Sequence, residues 1–155
     1  MRCPTRQEKL FLLLALGVVL FAAAGPAEAQ LCAISVPTSV SFGTYDVYGT
    51  FVDTTGTVRV GCIFATNVTV DLNRGNAPTF SPRYMLNGAQ QLTYNLYLDA
   101  ARTTIWGDNT GGSSHSTPGT IFITNINLTI YGRIPAGQDV TAGTYTDSIT
   151  ATINF

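Results

Sequence analysis

Apolar and polar residues alternate in several short runs after residue 30, which is the pattern of strands with one buried face. The runs predict strands at residues 32–36, 40–42, 56–64, 67–73, 91–99, 120–131 and 144–155. Stretches rich in Gly, Pro, Asn and Ser separate several of them and favour turns. None of these segments has the 3.6-residue apolar period of a helix. The pattern therefore predicts an all-β chain folded as an antiparallel β-sandwich.

The last run, residues 144–155, has the clearest alternation. The side chains on one face are Tyr145, Asp147, Ile149, Ala151, Ile153 and Phe155. Since no turn follows this run, we expect the final strand to leave one edge unpaired. Such an edge is an aggregation hazard unless it is covered, and it is also a place where another chain can add a strand.

The first 29 residues differ from the rest of the chain and predict a secretory signal peptide. Arg2, Arg6 and Lys9 give a positive start, and an uncharged apolar run follows at 10–24. That run has fewer than the ~20 residues that a bilayer-spanning helix needs, which disfavours the alternative of an uncleaved anchor. Small residues at 27 and 29 suit cleavage after Ala29. The expected organisation is therefore a signal peptide at 1–29 and one domain at 30–155.

Two cysteines, Cys32 and Cys62, remain after the predicted cleavage, since Cys3 lies in the leader. An even number of cysteines in an exported chain predicts a disulfide. Both residues lie in phase with the apolar face of their own strand, so both sulfurs should point toward the same layer. The spacing contains no Cys-x-x-Cys pair that would indicate a metal or redox site.

Composition argues against several functional classes. The chain is 11% charged, against roughly a quarter in an average soluble domain, and its net charge is -1. It therefore lacks the basic surface that nucleic-acid binding requires. The single histidine, His115, lies in a Gly/Ser-rich stretch, and the aspartates are scattered. We expect no enzymatic activity, no cofactor and no metal. The seven tyrosines leave a monomeric carbohydrate-binding module open as one alternative.

Short motifs distributed over the domain give it a family likeness. They are Cys32, then VSFGTY at 40–45, VGC at 60–62, RYM at 83–85, LTYNLY at 92–97, DAAR at 99–102, WGD at 106–108, YGRIPAGQ at 131–138 and GTYTDS at 143–148. Each motif alone is weak, but their joint order and spacing are specific. The chain resembles the spore coat protein U domain, which is shared with subunits of archaic chaperone–usher pili.

This resemblance implies an immunoglobulin-like sandwich that lacks its final strand. In such pilins a periplasmic chaperone fills the gap with a strand, and an outer-membrane usher exchanges that strand for the N-terminal arm of the next subunit. The partners expected by analogy are therefore a chaperone, an usher and other pilin subunits, and the expected location is the periplasm and then the cell surface. The edge expected to receive the strand carries Tyr145, Ile149, Ala151, Ile153 and Phe155.

The sequence departs from an ordinary shaft subunit in one respect. After the predicted cleavage only Gln30 and Leu31 precede Cys32, which is too short for an arm that donates a strand. The expected function is a structural subunit of a secreted pilus, tip-like or terminal, that serves adhesion or biofilm formation. A coat protein of spores or cells, assembled without an usher, is the second alternative beside the carbohydrate-binding module.

Overall fold

The computed structural model describes residues 31–155, so the predicted signal peptide and its cleavage site lie outside the described residues. Eight strands form the fold, and no helix is present in this part of the chain. They are β1 (Leu31–Thr38), β2 (Val52–Ile63), β3 (Ala65–Leu72), β4 (Arg83–Asn87), β5 (Gln90–Tyr97), β6 (Ser116–Ile121), β7 (Thr124–Ile134) and β8 (Ala151–Asn154). Across 31–155 the structure therefore has no apolar helix that could cross a membrane.

The strands form two antiparallel sheets that pack as a sandwich, which confirms the predicted all-β fold. One sheet has five strands in the order β1-β2-β7-β5-β4, and the other has three in the order β6-β3-β8. Inward side chains from both sheets build one core. Its fully buried aliphatic centre comes from alternate positions of two strands that face each other, as the period of two predicts. These residues are Val58, Val60, Val68, Val70 and Leu72.

The disulfide joins Cys32 of β1 to Cys62 of β2, as the strand phase predicts. The two residues lie directly opposite each other in the antiparallel register of these strands. Cys62 is buried and Cys32 packs against the core at its edge. The bond therefore ties the edge strand β1 to the interior strand β2 of the five-stranded sheet.

Several strand boundaries differ from those that the alternation predicts. Residues 40–42 belong to no strand, since no neighbouring backbone pairs with them. The run at 120–131 divides into β6 and β7, because a corner at Phe122 and Ile123 carries the chain from one sheet to the other. Strand β4 is not among the strands that alternation predicts, and its hairpin with β5 turns at Gly88, which has a φ of +57°.

The C-terminal segment spans both sheets. Thr146 exchanges two backbone hydrogen bonds with Leu86 of β4, in the five-stranded sheet. Further along, the same segment becomes β8, which pairs with β3 of the other sheet from Leu72↔Ala151 to Thr69↔Asn154. Only Ala151–Asn154 of the predicted strand at 144–155 therefore has a regular strand neighbour. The segment crosses one side of the sandwich from β4 to β3.

A buried arginine joins the loops at this side of the sandwich. Arg83 is fully buried and donates to the carbonyl oxygens of Asn73 and Trp106 and to the side-chain oxygen of Asn95, at 2.6–3.1 Å. Burial lowers the pKa of Arg83 to about 10, which leaves the guanidinium charged at neutral pH. The Trp106 indole in turn donates to the carbonyl of Val70. These contacts fix the irregular segments 73–83 and 98–115 against the core.

Candidate functional site

Strand β8 is an edge strand with an open cavity beside it. It pairs with β3 on one side, and within residues 31–155 no strand pairs with its other edge, although β1 lies close to it. A cavity of about 1160 Å³ opens there between the two sheets. We call this cavity the groove. It exposes apolar core side chains along the unpaired backbone edge, so the sandwich is open where a further strand of a complete immunoglobulin-like fold would lie.

Two walls and an apolar floor form the groove. One wall is the segment 36–47, which comprises the end of β1 and the chain that follows it, and the other is the segment 140–151, which leads into β8. The floor consists of core residues that both sheets contribute. The floor residues are Val58, Leu72, Met85, Leu92, Tyr94, Leu96, Ile130 and Ile134. Since the floor is apolar and lies between two chain segments that no strand connects, the groove has the shape and polarity that fit a further strand.

The structure brings together most of the residues that the sequence places at the final edge. Tyr145, Ile149 and Ala151 line the groove. Ile153 is half-buried and packs against the core, but it lies beyond the groove lining. Phe155 differs from the others because its side chain is half exposed. The alternation itself holds from Tyr145 to Ile153, where every second residue is half-buried and the residues between them are exposed.

Sequence reasoning missed a polar contact inside the groove. The Tyr94 hydroxyl of β5 donates to Asp147 at 2.6 Å, and both residues line the groove. Burial, followed by the hydrogen bond to Asp147, raises the pKa of Tyr94 well above its ordinary value near 10. Asp147 also accepts from the backbone N–H groups of Asn76 and Ser148. The sequence does place Asp147 on the inward face of the last run, which indicates a buried partner. It does not indicate which partner, because Tyr94 lies 53 residues away along the chain.

The wall at 36–47 is held from outside by a glutamine that replaces a strand neighbour. Strand β7 ends at Ile134, so the half of β5 around Thr93 has no strand on that side. The Gln138 side chain accepts from the backbone N–H of Thr93 at 2.7 Å and donates to its carbonyl at 2.9 Å. The Gln138 N–H then donates to the hydroxyl of Tyr45 at 2.8 Å. Tyr45 in this way anchors the end of the wall.

The opposite wall has its own tyrosine anchor. The Tyr145 hydroxyl donates to the carbonyl oxygen of Thr141, four residues upstream, at 2.9 Å. A tyrosine near the start of a late strand, bonded to backbone a few residues before it, is a recurrent corner of immunoglobulin-like sandwiches. The ring lines the groove while its hydroxyl fixes the bend that precedes β8. Both walls are therefore held in place by internal hydrogen bonds although no strand lies between them.

Comparison with known proteins agrees with this architecture. Residues 18–152 match the model of the Spore Coat Protein U domain family. The chain belongs to this family. A curated relative, Protein U of Myxococcus xanthus, is 33% identical over 131 residues, which are 76% of this chain and 72% of the relative.

The fold of this Spore Coat Protein U domain also matches a solved structure. The match is to a chain in the crystal structure of the CsuC–CsuE chaperone–tip adhesion subunit pre-assembly complex from the archaic chaperone–usher Csu pili of Acinetobacter baumannii. The TM-score is 0.53 and the identity 23%. The match covers 81% of this chain but only 40% of the solved chain, so this domain spans less than half of that chain's length.

Other polar residues of this Spore Coat Protein U domain lie outside the groove. His115 lies in the loop before β6, and its Nδ1 is 3.1 Å from Asp71 of β3. Asp99 and Asp108 each accept hydrogen bonds from threonines of their own turns, which lowers the pKa of both carboxyls. Among residues 31–155 no cluster of three His, Cys, Asp or Glu side chains could hold a metal ion.

Proposed function

We propose that this protein is a non-enzymatic structural subunit of a pilus on the bacterial surface, and that it assembles by accepting a β-strand from another chain. The observation that carries the proposal is the juxtaposition of the unpaired edge of β8 with the groove. An edge that opens onto core residues is a liability for a chain that remains alone, because it invites aggregation. The same feature is a binding site if a partner strand fills it.

The chemistry of the groove defines the strand that it accepts. Backbone groups of the incoming strand would pair with the free edge of β8, and alternate side chains would enter the groove. Its floor is aliphatic around Val58 and Ile130, so we expect large apolar side chains there. Asp147 and Tyr94 add a polar position in the same groove, where a small hydroxyl or amide side chain would fit better than an aliphatic one.

The expected partners follow from the family likeness. A periplasmic chaperone would fill the groove first, and an outer-membrane usher would then exchange its strand for one from another pilin subunit. The matched complex, which joins a chaperone to a pilus tip subunit, supports the chaperone and subunit parts of this proposal. The disulfide between Cys32 and Cys62 supports passage through an oxidising compartment such as the periplasm, on the way to the cell surface.

The finer part of the proposal is a tip-like or terminal position, with a role in adhesion or biofilm formation. It rests on the predicted cleavage after Ala29, which would leave only Gln30 and Leu31 before Cys32. Two residues cannot span the groove, whose walls run over residues 36–47 and 140–151, because an extended chain covers only about 3.3–3.6 Å per residue. N-terminal sequencing of the secreted form tests this position, and an arm of ten or more residues before Cys32 would contradict it.

A coat protein assembled without an usher is the second candidate. The description of the family and the 33% identity to Protein U favour it. Both candidates use the same groove, and they differ in the partner that fills it. Deleting the usher gene distinguishes them, because a pilus subunit would then stop at the periplasmic complex while a coat protein would still reach the surface.

Co-expression with the neighbouring chaperone tests the proposal. We expect a stable one-to-one complex in the periplasm. Ile149→Asp should abolish this complex, since the new carboxylate would lie in the groove. The matched control is Thr150→Asp, at the next residue of the same segment, whose side chain is exposed on the outer face. Equal recovery of both variants, or a wild-type chain that folds as a monomer and ignores strand peptides, would contradict the proposal.

A further inference from the structure

Large apolar side chains are concentrated and exposed at one end of the sandwich. Two corners lie side by side there, because Cys62 of β2 pairs with Thr124 of β7 and Ala65 of β3 pairs with Ile121 of β6. One corner carries Ile63 and Phe64, and the other carries Phe122 and Ile123. Leu31 pairs with Ile63 beside them. We call these five residues, Leu31, Ile63, Phe64, Phe122 and Ile123, the apolar crown.

The crown is exposed although its members are among the most apolar residues of the chain. Leu31 is 64% exposed, Phe122 63% and Ile123 71%, and Ile63 and Phe64 are nearly half exposed. The rings of Phe64 and Phe122 meet edge to face across the two corners, with their centroids 6.2 Å apart. They therefore form a continuous apolar surface. A contiguous patch of this kind marks an interaction site more often than scattered exposed residues do.

Phe64 also has an unfavourable backbone. Its φ is +52°, in the left-handed region, where Gly and Asn are favoured and a bulky side chain costs free energy. The corner between β2 and β3 thus combines a strained backbone with an exposed aromatic ring at the same residue. Gly or Asn at this position would give a more stable fold, because either residue would remove both the backbone strain and the exposed aromatic ring. The combination indicates that the exposed ring is useful to the protein.

The chemistry of the crown favours a lipid surface over a protein partner. Residues 60–67 and 119–126 contain no charged side chain, so an electrostatic partner has nothing to bind. A stable protein interface buries ~800 Å² and about 20–30 residues on each partner, whereas the crown has five residues. A lipid bilayer needs no such area, because its boundary region adapts to inserted apolar side chains.

The position of the crown along the chain points to the same occupant. Leu31 is the first described residue, and the uncharged apolar run at 10–24 precedes it with only six residues between them. Six residues reach at most about 20 Å, so before the predicted cleavage after Ala29 a leader held in a bilayer would keep the crown close to the lipid. We propose that the apolar crown inserts into the boundary region of an uncharged lipid bilayer. This contact is independent of the groove.

Vesicle flotation tests the proposal. The probe is phosphatidylcholine vesicles, mixed with residues 30–155 as purified from the periplasm, alone or with the groove partner bound. We expect the protein to float with the vesicles equally well at low and high salt. The triple variant Phe64→Asn, Phe122→Ser, Ile123→Ser should lower the bound fraction at least tenfold. Tyr48→Ser is the control, since Tyr48 is 96% exposed in the loop before β2, away from the crown.

The variants also separate binding from folding. Phe64→Asn alone should leave the melting temperature unchanged or raise it, because Asn accepts positive φ, while it weakens flotation. Ile123→Ser alone gives a second variant that does not touch the strained position. A wild-type protein that stays out of the vesicle layer, or variants that float as well as wild type, would overturn the proposal. So would a wild-type dimer that the triple variant disrupts, because the crown would then bind a second copy.

Discussion

The Tyr94 hydroxyl lies 2.6 Å from the Asp147 carboxylate and donates a hydrogen bond to it. This contact joins β5, in the five-stranded sheet, to the C-terminal segment that runs toward β8 in the other sheet. It lies in the groove, where the sandwich has no strand to cover it. The pair therefore holds one groove wall against the core while the groove is open.

Replacement of Tyr94 by Phe should destabilise the folded chain and change its response to alkali. Loss of a buried hydrogen bond to a charged acceptor costs about 1.5–3 kcal/mol. The raised pKa of folded Tyr94 means that stability is fully present below the ordinary pKa near 10 and is lost as pH rises above it. We expect the free energy of unfolding, measured with denaturant, to fall as the pH rises above 10 in the wild type. In Tyr94→Phe it should fall less steeply, and the two slopes should differ by up to about 1.4 kcal/mol per pH unit.

Comparison of the two proteins cancels the contribution of Tyr97, whose pKa is also raised but which is present in both. Phe42 packs edge to face on the Tyr94 ring at 5.6 Å, and the phenyl ring of the Tyr94→Phe variant would retain that contact. Identical alkaline slopes for wild type and variant would show that the Tyr94 phenol does not stay protonated in the folded state.

The buried Arg83 should be essential for stability. Arg83→Met removes the donor to the carbonyl oxygens of Asn73 and Trp106, while the amide oxygen of Asn95 keeps the hydrogen bond from the Leu96 N–H. Each buried acceptor left unpaired costs about 1–3 kcal/mol, so the midpoint of urea unfolding should fall steeply. The control is Arg59→Met on the exposed face of β2, which should change stability by no more than about 0.5 kcal/mol. Similar midpoints for the two variants would contradict this role for Arg83.

Removal of the disulfide should lower the yield of exported protein strongly. Cys32 and Cys62 are 30 residues apart, and closing a loop of that size stabilises a fold by roughly 3–4 kcal/mol in the chain-entropy account. The melting temperature of Cys62→Ser should therefore equal that of the wild type whose disulfide has been reduced, and both should lie below that of the oxidised wild type. A variant as stable as the oxidised wild type would show that the β1–β2 pairing holds without the bond.

Deletion of residues 153–155 should abolish recovery of the exported protein. Ile153 pairs with Val70 of β3 and packs against the core, and Asn154 donates to Asp71 at 2.7 Å. Loss of these contacts leaves β8 with two residues. Deleting Phe155 alone is the control, since its side chain is half exposed and outside the core. A folded truncate recovered in undiminished amount would contradict a structural role for the edge.

The sequence predicted the fold well where the pattern is local. The alternation of β2, β3 and β5 and the phase of the cysteines depend on side chains that share a strand face, and the structure confirms them. The inward phase of Tyr145, Ile149 and Ala151 was found in the same way. Family motifs supplied the immunoglobulin-like architecture, which periodicity alone does not specify.

Features that depend on distant partners could not be predicted from the pattern. The contact of Tyr94 with Asp147 joins residues 53 positions apart, and the Gln138 contact with Thr93 replaces a strand that ends early. Residues 40–42 alternate in sequence as a strand does, but they line the groove and have no neighbouring strand to pair with. Phe64 gave no signal of its left-handed backbone, because the residue types usual at such corners are Gly and Asn.

Amide hydrogen exchange along the C-terminal segment tests the central claim most directly. The measurement compares the subunit alone with the subunit bound to its strand-donating partner, and it follows Ala151–Asn154 against the interior strand β2. We expect fast exchange at alternate amides of β8 in the free subunit and strong protection of them in the complex, with β2 protected in both. Protection of every β8 amide in the free chain, unchanged by the partner, would mean that the edge is already covered and would contradict the account.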